Sequence, residues 1–520
     1  MKKNIYSFQW IGDIERMKSF RIKNIKSFMD SGDIEFKPIT IFVGKNSCGK
    51  SSLLRFPTVL AQTALSNSDS PLSFYGKMLD YGNYEDVVFG RNDSSIMFEI
   101  NYDINIHNTN DARYTMVIDD EEYENEIPIE IHRVGMKISI NKNDKRMNVE
   151  TAELCIDGKC LSGFYYQDDH YRIELNYIYE NYKLIQEHYE FKVKDIQFDH
   201  FFPLYDMREV FCAIVGIVVN DDNIPVSTEI GQELYNKLFN LANPYGDDQL
   251  TDEEKIIKRI KDGLEYSSIM MSHVYKNFEF DSRITTYIGP FRESPQRIYR
   301  DSETQSKYVG VRGENVSTLI IRDYQKKSKL INAISEWLYK TMGYKLSIKD
   351  IGSGLFQIML VNNKGIESNI IDVGFGISQV LPIVTQVINT SLVEEQRIIG
   401  RIMGGETIYV EQPELHLHPA TQAELADIFV NCILENETTR LVIETHSEHL
   451  IRKLQVLVAS KDNEFTADML KIYYIDKDDD GVAKVEEMKI LDNGKFEKKW
   501  PAGFFDKAHE LSMELLKNSI

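Results

Sequence analysis

Long apolar runs are missing from this 520-residue sequence, and none reaches the roughly 18 uncharged residues that a transmembrane helix needs. The longest apolar stretch lies around 211–220 and suits a buried strand or helix. The N-terminal residues include acidic and polar side chains where a signal peptide needs an unbroken apolar core. We therefore expect a cytoplasmic protein that has no membrane partner.

Cysteine is also scarce. The 5 cysteines are too few and too scattered for a disulfide framework, and the odd number would leave one thiol over. This usage fits a reducing compartment. Cys155 and Cys160 lie in a predicted hairpin, but no second Cys or His pair lies nearby to complete a zinc site. The sequence therefore does not favour a zinc centre.

Basic residues are outnumbered, with 60 Lys and Arg against 81 Asp and Glu and a net charge of -21. This balance argues against broad, sequence-blind binding of nucleic acid. Arginines concentrate in 283–300, and Lys326, Lys327 and Lys329 follow. These residues leave a local contact with DNA open, although a solvated helix face with phosphate-facing arginines is the favoured interpretation.

The hydrophobic fraction of 42% is sufficient to bury a core in two or three globular units. Short strand patterns open the chain, period-two runs fill 95–200, and helical spacing follows at 227–278. We predict a long helix from Asn315 to about Met342, and alternating strands and helices then continue to Asp476. The interpretation is an α/β fold with a β-rich and then helical insertion. We predict two lobes of one domain at 1–95 and 286–475, the insertion at 96–285 and a C-terminal extension at 476–520.

The strongest motif is a match to GxxxxGK[ST] that follows the strand pattern ITIFV and opens the helix pattern SSLLRF. Its glycines let backbone N–H groups wrap a polyphosphate at a helix N-terminus. We expect Lys50 to reach the β- and γ-phosphates and the Ser51 hydroxyl to bind magnesium. The predicted phosphate-binding residues are Gly44, Lys45, Asn46, Ser47, Cys48, Gly49, Lys50, Ser51 and Ser52.

A P-loop also needs an acidic magnesium partner on a second strand, and the segment ETIYVEQPELHLHP provides one. Its apolar strand ends at Glu411, before Pro413 breaks it. We therefore predict ATP and Mg²⁺ as cofactors, with Ser51 and Glu411 as the metal-binding residues.

The same segment resembles the Walker B and D-loop region of OLD-type and related ABC-like AAA ATPases, which are similar to the ABC, SMC and RecF ATPases. LVIETHSEHLI resembles their switch segment, in which His446 would contact the γ-phosphate, and DVGFGISQVLPIV resembles their signature, with Gly376, Ser378 and Gln379 at a helix N-terminus. Each segment alone also fits an ordinary turn, strand end or helix start, so their joint order carries the interpretation. The resemblance implies an ABC-type P-loop ATPase head, a mixed sheet with flanking helices.

One residue departs from the pattern. ABC-type heads place a catalytic glutamate directly after the magnesium acid, whereas this chain has Gln412, and an amide cannot take a proton from water. Either Glu414 is the general base, or Gln412 only orients the water and hydrolysis is slow. It is also open that this group of proteins uses Gln412 without losing activity. His446 would sense or polarise the γ-phosphate, and Gln62 is a Q-loop candidate by residue type alone.

The resemblance implies partners as well. In this class the signature of one subunit completes the P-loop site of another, so we expect a homodimer or a higher even oligomer that closes on ATP. The first hypothesis is an ATP-driven switch that senses DNA ends or invading nucleic acid beside a separately encoded effector, as in antiphage defence. The second is an ATP-latched scaffold that restrains a toxin-like effector with negligible turnover.

Other motifs are weaker. The segment from Asp476 to Glu487 matches an EF-hand calcium loop, but strand patterns flank it where an EF-hand needs helices, so we predict a hairpin turn. No Toprim nuclease and no Ser/His/Asp or Cys/His hydrolase is supported. The ending, with its WPAGFF segment, looks like a C-terminal extension of unknown role.

Overall fold

A computed structural model of the chain describes residues 15–68, 70–91, 94–105, 131–143, 146–167, 170–180, 183–193, 196–204, 251–301, 306–392, 396–398, 401–403, 405–501 and 514. The apolar stretch at 211–220, the 227–250 part of the predicted helical region and most of the WPAGFF segment lie outside these residues. None of the described helices combines the length and the apolar character needed to cross a membrane.

The described strands are β1 Met17–Ile25, β2 Phe28–Asp30, β3 Ile34–Glu35, β4 Ile39–Gly44, β5 Ile96–Asn105, β6 Ile131–Asn143, β7 Arg146–Ile156, β8 Lys159–Gln167, β9 His170–Glu180, β10 Lys183–Val193, β11 Gln197–Asp199, β12 Phe202–Leu204, β13 Thr285–Ile288, β14 Tyr299–Arg300, β15 Tyr344–Gly352, β16 Leu355–Asn362, β17 Glu367–Asn369, β18 Gln396–Ile398, β19 Arg401–Met403, β20 Thr407–Glu411, β21 Arg440–Glu444, β22 Leu470–Lys477 and β23 Ala483–Glu487. The described α-helices are α1 Lys50–Ala64, α2 Tyr84–Val87, α3 Asp252–Arg283, α4 Val316–Lys326, α5 Leu330–Met342, α6 Phe375–Ser391, α7 Pro419–Glu435 and α8 Glu448–Ala459.

The chain divides into two compact units. The first comprises residues 1–25, 63–74 and 83–281, and the second comprises 26–62, 75–82 and 282–520. Both units are therefore assembled from separate stretches of sequence, and the 17–25 strand falls in the first unit although the P-loop strand 39–44 falls in the second. The boundaries that we drew from the sequence remain a prediction.

The first unit is an antiparallel sheet with the strand order β10-β9-β8-β7-β6-β5-β1. Its long strands alternate buried and partly exposed residues, which is the pattern of a sheet with one covered face. Helix α3 covers that face, because Ser267 forms a hydrogen bond with Ser162 of β8 and Phe278 packs edge-on against Phe201 with ring centroids 5.1 Å apart. The predicted β-rich and then helical insertion is thus confirmed for its described residues.

The hairpin predicted around Cys155 and Cys160 is also confirmed. The two residues face each other across β7 and β8, and both thiols are free. A carboxylate from Glu153 lies within 4.8 Å of both sulfur atoms, which sequence spacing did not reveal. Lys137 and Tyr165 each hydrogen bond that carboxylate at 3.0 Å, so the structure gives Glu153 partners within the protein itself.

His273 lies on α3 with only 4% of its surface exposed. Burial, with a contribution from the charge of Lys276, lowers the pKa of its imidazole from 6.5 to about 3. The unfolded chain therefore binds this proton first on acidification. The stability contribution is complete above pH 6.5 and is lost as pH falls toward 3, by up to about 1.4 kcal/mol per pH unit.

We expect His273→Gln to flatten the acid side of the stability profile, measured by urea unfolding at intervals from pH 7 to pH 5. The matched control is His449→Gln, which changes an exposed histidine on α8. An acid slope that is the same in wild type and His273→Gln would contradict the assignment.

The second unit contains the predicted α/β domain. Its main sheet has the order β13-β20-β21-β4-β22-β23, in which only β23 runs antiparallel to its neighbour. Strands β4, β20 and β21 are buried along nearly their whole length, as expected for parallel strands that are covered on both faces. Buried residues of α4 to α8 pack with those strands into one apolar core. The mixed sheet with flanking helices confirms the predicted fold class.

The prediction of one long helix from Asn315 to Met342 was wrong. Two helices, α4 and α5, are separated at Lys327, whose φ of 51° ends the first one. The cause is Asp323, whose carboxylate accepts hydrogen bonds from the backbone N–H groups of Leu330 and Ile331 at 3.2 and 2.9 Å. A side chain of α4 therefore caps the N-terminus of α5, which periodicity alone could not show.

Replacing Asp323 with alanine should leave these N–H groups without their acceptor. We expect the free energy of unfolding to fall by about 2 kcal/mol, measured by denaturant titration of the full chain. Glu336→Ala, which truncates an exposed carboxylate on α5, is the control. Equal stability of the two variants would show that the cap contributes nothing.

The EF-hand match folds as the predicted hairpin. Strands β22 and β23 pair antiparallel on either side of a turn in which the Asp478 carboxylate accepts a hydrogen bond from the backbone N–H of Val482. This hairpin adjoins the P-loop strand, because β22 pairs with β4 in parallel register from Ile39 to Gly44. The strand predicted to end the α/β lobe is therefore a direct neighbour of the phosphate-binding motif.

Candidate nucleotide-binding site

The predicted phosphate loop connects β4 to α1, as its sequence pattern indicated. Lys50 begins the helix and is 3% exposed, and its Nζ donates to the backbone oxygens of Gly44 and Lys45 at 3.1 and 2.7 Å. The loop thus closes around its own lysine. Because its partners in the described part of the chain are these two neutral carbonyl groups, the ammonium group can exchange them for phosphate oxygens without breaking an ion pair.

Gly44 is required by its neighbours as well as by its φ of 149°. A Cβ atom at this position would lie 1.9 Å from the backbone oxygen of Ile475 on β22. At Gly49, a Cβ atom would lie 2.8 Å from the ring of Phe28. Two segments distant in sequence therefore press on the loop, and only glycine leaves room for them.

The remaining loop residues point in different directions. The Nζ of Lys45 forms an ion pair with Asp476 at 2.7 Å, and its side chain is 56% exposed. Cys48 is buried and its thiol donates to the oxygen of Lys45 at 2.9 Å. Burial raises the pKa of this thiol, which fits a packing role and not that of a nucleophile.

Glu411, the predicted magnesium acid, ends β20 and is 2% exposed. Arg55 of α1 binds it in a bidentate manner, with Nε at 2.5 Å from Oε1 and the second nitrogen at 2.7 Å from Oε2. Tyr287 of β13 donates to the same Oε1 at 2.6 Å. Burial would lower the pKa of Arg55, but the contact with Glu411 outweighs it and the pKa is raised.

Arg292 supports the same strand end from the side. Its guanidinium donates to the backbone oxygen of Glu411 at 2.6 Å, and burial lowers its pKa to about 10. Arg297 of the same basic stretch forms a bidentate ion pair with Asp372. Two of the arginines that left a DNA contact open are therefore engaged within the protein.

Glu414 and the switch segment are brought together, although they lie about thirty residues apart in sequence. The carboxylate of Glu414 accepts a hydrogen bond from the backbone N–H of His446 at 2.6 Å and another from the Thr445 hydroxyl at 2.8 Å. Burial raises the pKa of Glu414, against these hydrogen bonds. Both carboxylate oxygens of Glu414 therefore accept hydrogen bonds that hold the loop containing His446 in place.

His446 itself is neutral at pH 7. Burial first, and the charge of Lys50 second, lower its pKa to about 4. A neutral imidazole can donate one hydrogen bond to a phosphate oxygen but cannot supply a full positive charge. Ser447 is the N-cap of helix α8, and its hydroxyl oxygen accepts a hydrogen bond from the backbone N–H of Leu450 at 3.1 Å.

Gln412 occupies a strained position. Its φ is 44°, and its backbone N–H donates to the oxygen of Glu444 at 2.8 Å, which joins β20 to β21 beyond their last paired residues. A positive φ at a residue other than glycine is uncommon and clusters at functional sites. The backbone at Gln412 is therefore held in place by the neighbouring strand.

The signature residues lie in the first turn of α6. The hydroxyl of Ser378 donates to the backbone oxygen of Phe375 at 2.8 Å, and Ser378 and Gln379 are both buried. Gly376 faces the loop after Glu411, since a Cβ atom there would lie 3.0 Å from the oxygen of His416. Across the described chain, no hydrogen bond joins Gly376, Ser378 or Gln379 to the P-loop.

Gln62 proves to be a helix residue. It lies on α1, is 5% exposed, and its side chain accepts a hydrogen bond from the backbone of Leu79 at 3.2 Å. The structure therefore does not place it on a loop.

Sequence reasoning missed Arg55, Tyr287 and Arg292, and it assigned no role to Glu444. A charged side chain one helical turn after Ser51 was the available signal for Arg55, because residues four apart share a helix face. Nothing local indicated Tyr287 or Arg292, which reach Glu411 from more than a hundred residues away.

Several solved structures of SMC head domains align with this chain. The head domain with an extended coiled coil bound to the C-terminal domain of ScpA, from Pyrococcus furiosus, is 12% identical, with 96% of this chain and 99% of that chain covered at a TM-score of 0.38. The SMC head domain from Thermotoga maritima is 8% identical, with 91% and 100% covered at a TM-score of 0.34. No curated protein matches the chain.

Two families match it. The family described as protein of unknown function (DUF3696) matches residues 466–515. This segment contains β22 and β23. The family described as AAA ATPase domain matches residues 16–451, which include the P-loop, the signature, the strand that ends at Glu411 and the switch segment. Since that match extends over most of the sequence, the chain belongs to the AAA ATPase domain family.

Proposed function

We propose that this protein binds ATP with Mg²⁺, hydrolyses it, and uses the nucleotide to close a dimer of heads. The single observation that carries the proposal is the convergence at one edge of the parallel sheet: the P-loop after β4 and the acidic ends of β20 and β21 are adjacent. Ligands of α/β sheets bind at the carboxyl ends of the strands, and this edge holds the loop, two buried carboxylates and a hydroxyl.

The residues present fit a magnesium nucleotide. The N-terminus of α1 and the N–H groups of the loop suit a polyphosphate, and Lys50 adds a positive charge. Oxygen ligands that Mg²⁺ prefers are available from the Ser51 hydroxyl and from a buried carboxylate. When bound, the cation neutralises charge on the phosphate oxygens, while Lys50 and the loop amides hold the phosphates in place.

For the attacking water, the chain offers Glu414, Gln412 and His446. We propose that Glu414 acts on turnover chiefly by holding His446 and Thr445, because both of its oxygens accept hydrogen bonds from them. Gln412 can orient a water but cannot remove its proton. This arrangement favours slow or gated hydrolysis and a long-lived ATP-bound state.

The signature residues support the proposed dimer. Ser378 and Gly376 lie at the N-terminus of α6, where helix dipole and N–H groups suit a phosphate, and we propose that a second copy of the chain presents them to the P-loop site. Closing on ATP and reopening after hydrolysis would give the protein two states that the β-rich unit transmits to a partner.

The setting that the sequence resemblance suggests is antiphage defence or the sensing of DNA ends, with an effector encoded separately. The test is steady-state ATP hydrolysis by the full chain with Mg²⁺, with and without duplex DNA. Stimulation by DNA supports the sensor. Turnover without any response to DNA is evidence against it.

An ATP-latched scaffold is the second candidate, and the strained, amide-bearing position at Gln412 favours it. It predicts tight ATP binding with negligible turnover, and ATP-dependent co-purification with a neighbour-encoded protein in the absence of DNA. Failure to bind ATP would exclude both candidates.

A further inference from the structure

Two buried carboxylates lie side by side at the carboxyl edge of the main sheet of the second unit. Glu411 ends β20 and Glu444 ends β21, and they are paired in the parallel register of these strands. They are 2% and 3% exposed. Two carboxylates placed so close away from water need donors or cations around them, because an uncompensated buried charge is costly.

Glu411 already has those donors. Its Oε1 accepts from Arg55 and Tyr287 and its Oε2 accepts from Arg55, all within 2.5 to 2.7 Å. A cation that coordinated Glu411 directly would have to share the carboxylate with Tyr287 and a bidentate arginine, which is a strong form of carboxylate recognition.

Glu444 is different. Its Oε2 is buried and finds no hydrogen-bond donor among the described residues. The hydroxyl of Ser51 interacts with the same carboxyl, and the charges of Lys50 and Arg55 act on it from nearby. An acceptor oxygen without a donor therefore lies beside the P-loop hydroxyl that is expected to bind magnesium.

We propose that Glu444, together with Ser51, is the acidic group that holds the divalent cation of the nucleotide, directly or through a coordinated water. Glu411 instead anchors Arg55 and Tyr287, which fixes α1 and β13 to the end of β20. Hydroxyl and carboxylate oxygens form the hard ligand set that Mg²⁺ selects, and this cation commonly keeps several waters between itself and protein oxygens. This inference rests on the proposed function and assigns the metal to the strand end beside the one predicted from the sequence.

The position also explains why Glu444 is tolerated in the core. A divalent cation or its water would satisfy Oε2 and would offset the repulsion between the two carboxylates. Its place at the β21 end, two residues before His446, puts the cation and the switch histidine on one segment.

The test is magnesium-dependent nucleotide binding, which does not require turnover. Fluorescently labelled ATP is titrated with the full chain at a series of Mg²⁺ concentrations and, separately, in EDTA. Glu444→Gln should raise the Mg²⁺ concentration at half-maximal binding by about tenfold or more, and should leave binding in EDTA unchanged. Glu448→Gln, which changes a carboxylate paired with Arg452 on the surface of α8, is the matched control and should resemble wild type.

A comparison with Glu411→Gln separates the two carboxylates. We expect the Mg²⁺ requirement of Glu411→Gln to shift less than that of Glu444→Gln, and its melting temperature to fall more, because Arg55 loses its charged partner. The reverse order would overturn the inference and return the metal to Glu411. An unchanged Mg²⁺ requirement in a folded Glu444→Gln protein would also overturn it.

Should Glu444→Gln fail to fold, Glu444→Asp keeps the charge and withdraws the carboxylate by one methylene. A Mg²⁺ requirement several times higher supports the inference, and an unchanged one overturns it. If wild type itself binds no labelled ATP at any Mg²⁺ concentration, the proposed function fails, which is a different result from a Mg²⁺ requirement that ignores Glu444.

Discussion

ATP turnover is expected to fall by about 100-fold or more in Lys50→Ala, with nucleotide binding weakened in parallel. Lys50 is the buried cation at the start of α1, and its ammonium group lies among the loop carbonyls of Gly44 and Lys45. A shorter side chain removes the charge that would face the phosphates and also leaves those two carbonyl groups without the lysine as donor. The measurements are steady-state phosphate release and binding of labelled ATP.

Lys45→Ala is the matched control for that substitution. It removes a lysine from the same loop, but one whose side chain is mostly exposed and paired with Asp476. An exposed ion pair contributes little to stability, so we expect turnover within a fewfold of wild type. If both variants lost activity equally, the effect would reflect a damaged loop, and the role of Lys50 at the phosphates would be wrong.

The second large loss of ATP turnover is expected in Glu414→Gln. The amide replaces one acceptor with an NH₂ donor that must face the backbone N–H of His446 or the Thr445 hydroxyl. We expect turnover to fall by about 100-fold, because the switch loop loses its support, and the free energy of unfolding to fall by about 1–3 kcal/mol. The measurements are turnover and denaturant unfolding on the same preparation.

The pH dependence of turnover distinguishes support from base catalysis at Glu414. A general base gives wild type an acid limb in log kcat that disappears in Glu414→Gln, whereas the loss of a supporting residue lowers kcat at every pH and leaves the shape of the pH profile unchanged. We expect the second result. Loss of the limb with unchanged stability would assign Glu414 as the base.

The P-loop is the part of the site that the sequence predicted most completely. Local signals sufficed there, since a strand pattern, two glycines and a Lys-Ser pair occupy a few consecutive residues, and the structure places them between β4 and α1 as expected. The order of the signature, the strand ending at Glu411 and the switch segment likewise predicted an α/β sheet. In the sheet, β21 lies between β4 and β20. This strand order depends on packing between segments that are distant in sequence, so the motifs alone did not predict it.

Helix boundaries and side-chain partners behaved differently. Apolar periodicity continues through 315–342, so it predicted one helix, but the carboxylate of Asp323 caps a second helix and stops the first. The partners of Glu411 could not be read from sequence either, because Arg55, Tyr287 and Arg292 approach it from three separate elements. Gln62 was named as a Q-loop candidate by residue type alone. Residue type does not show that this residue lies on α1.

What the sequence determined by itself was membership of an ATPase family and the residue types available at short spacing: a P-loop motif, an acidic residue at a strand end and a histidine after the next strand. Which of the two carboxylates keeps an oxygen without a donor among the described residues was decided only by the tertiary structure. Glu411 and Glu444 are equivalent acids at the ends of neighbouring strands, and the folded chain distinguishes them by directing Arg55 and Tyr287 to the first and leaving an oxygen of the second beside Ser51.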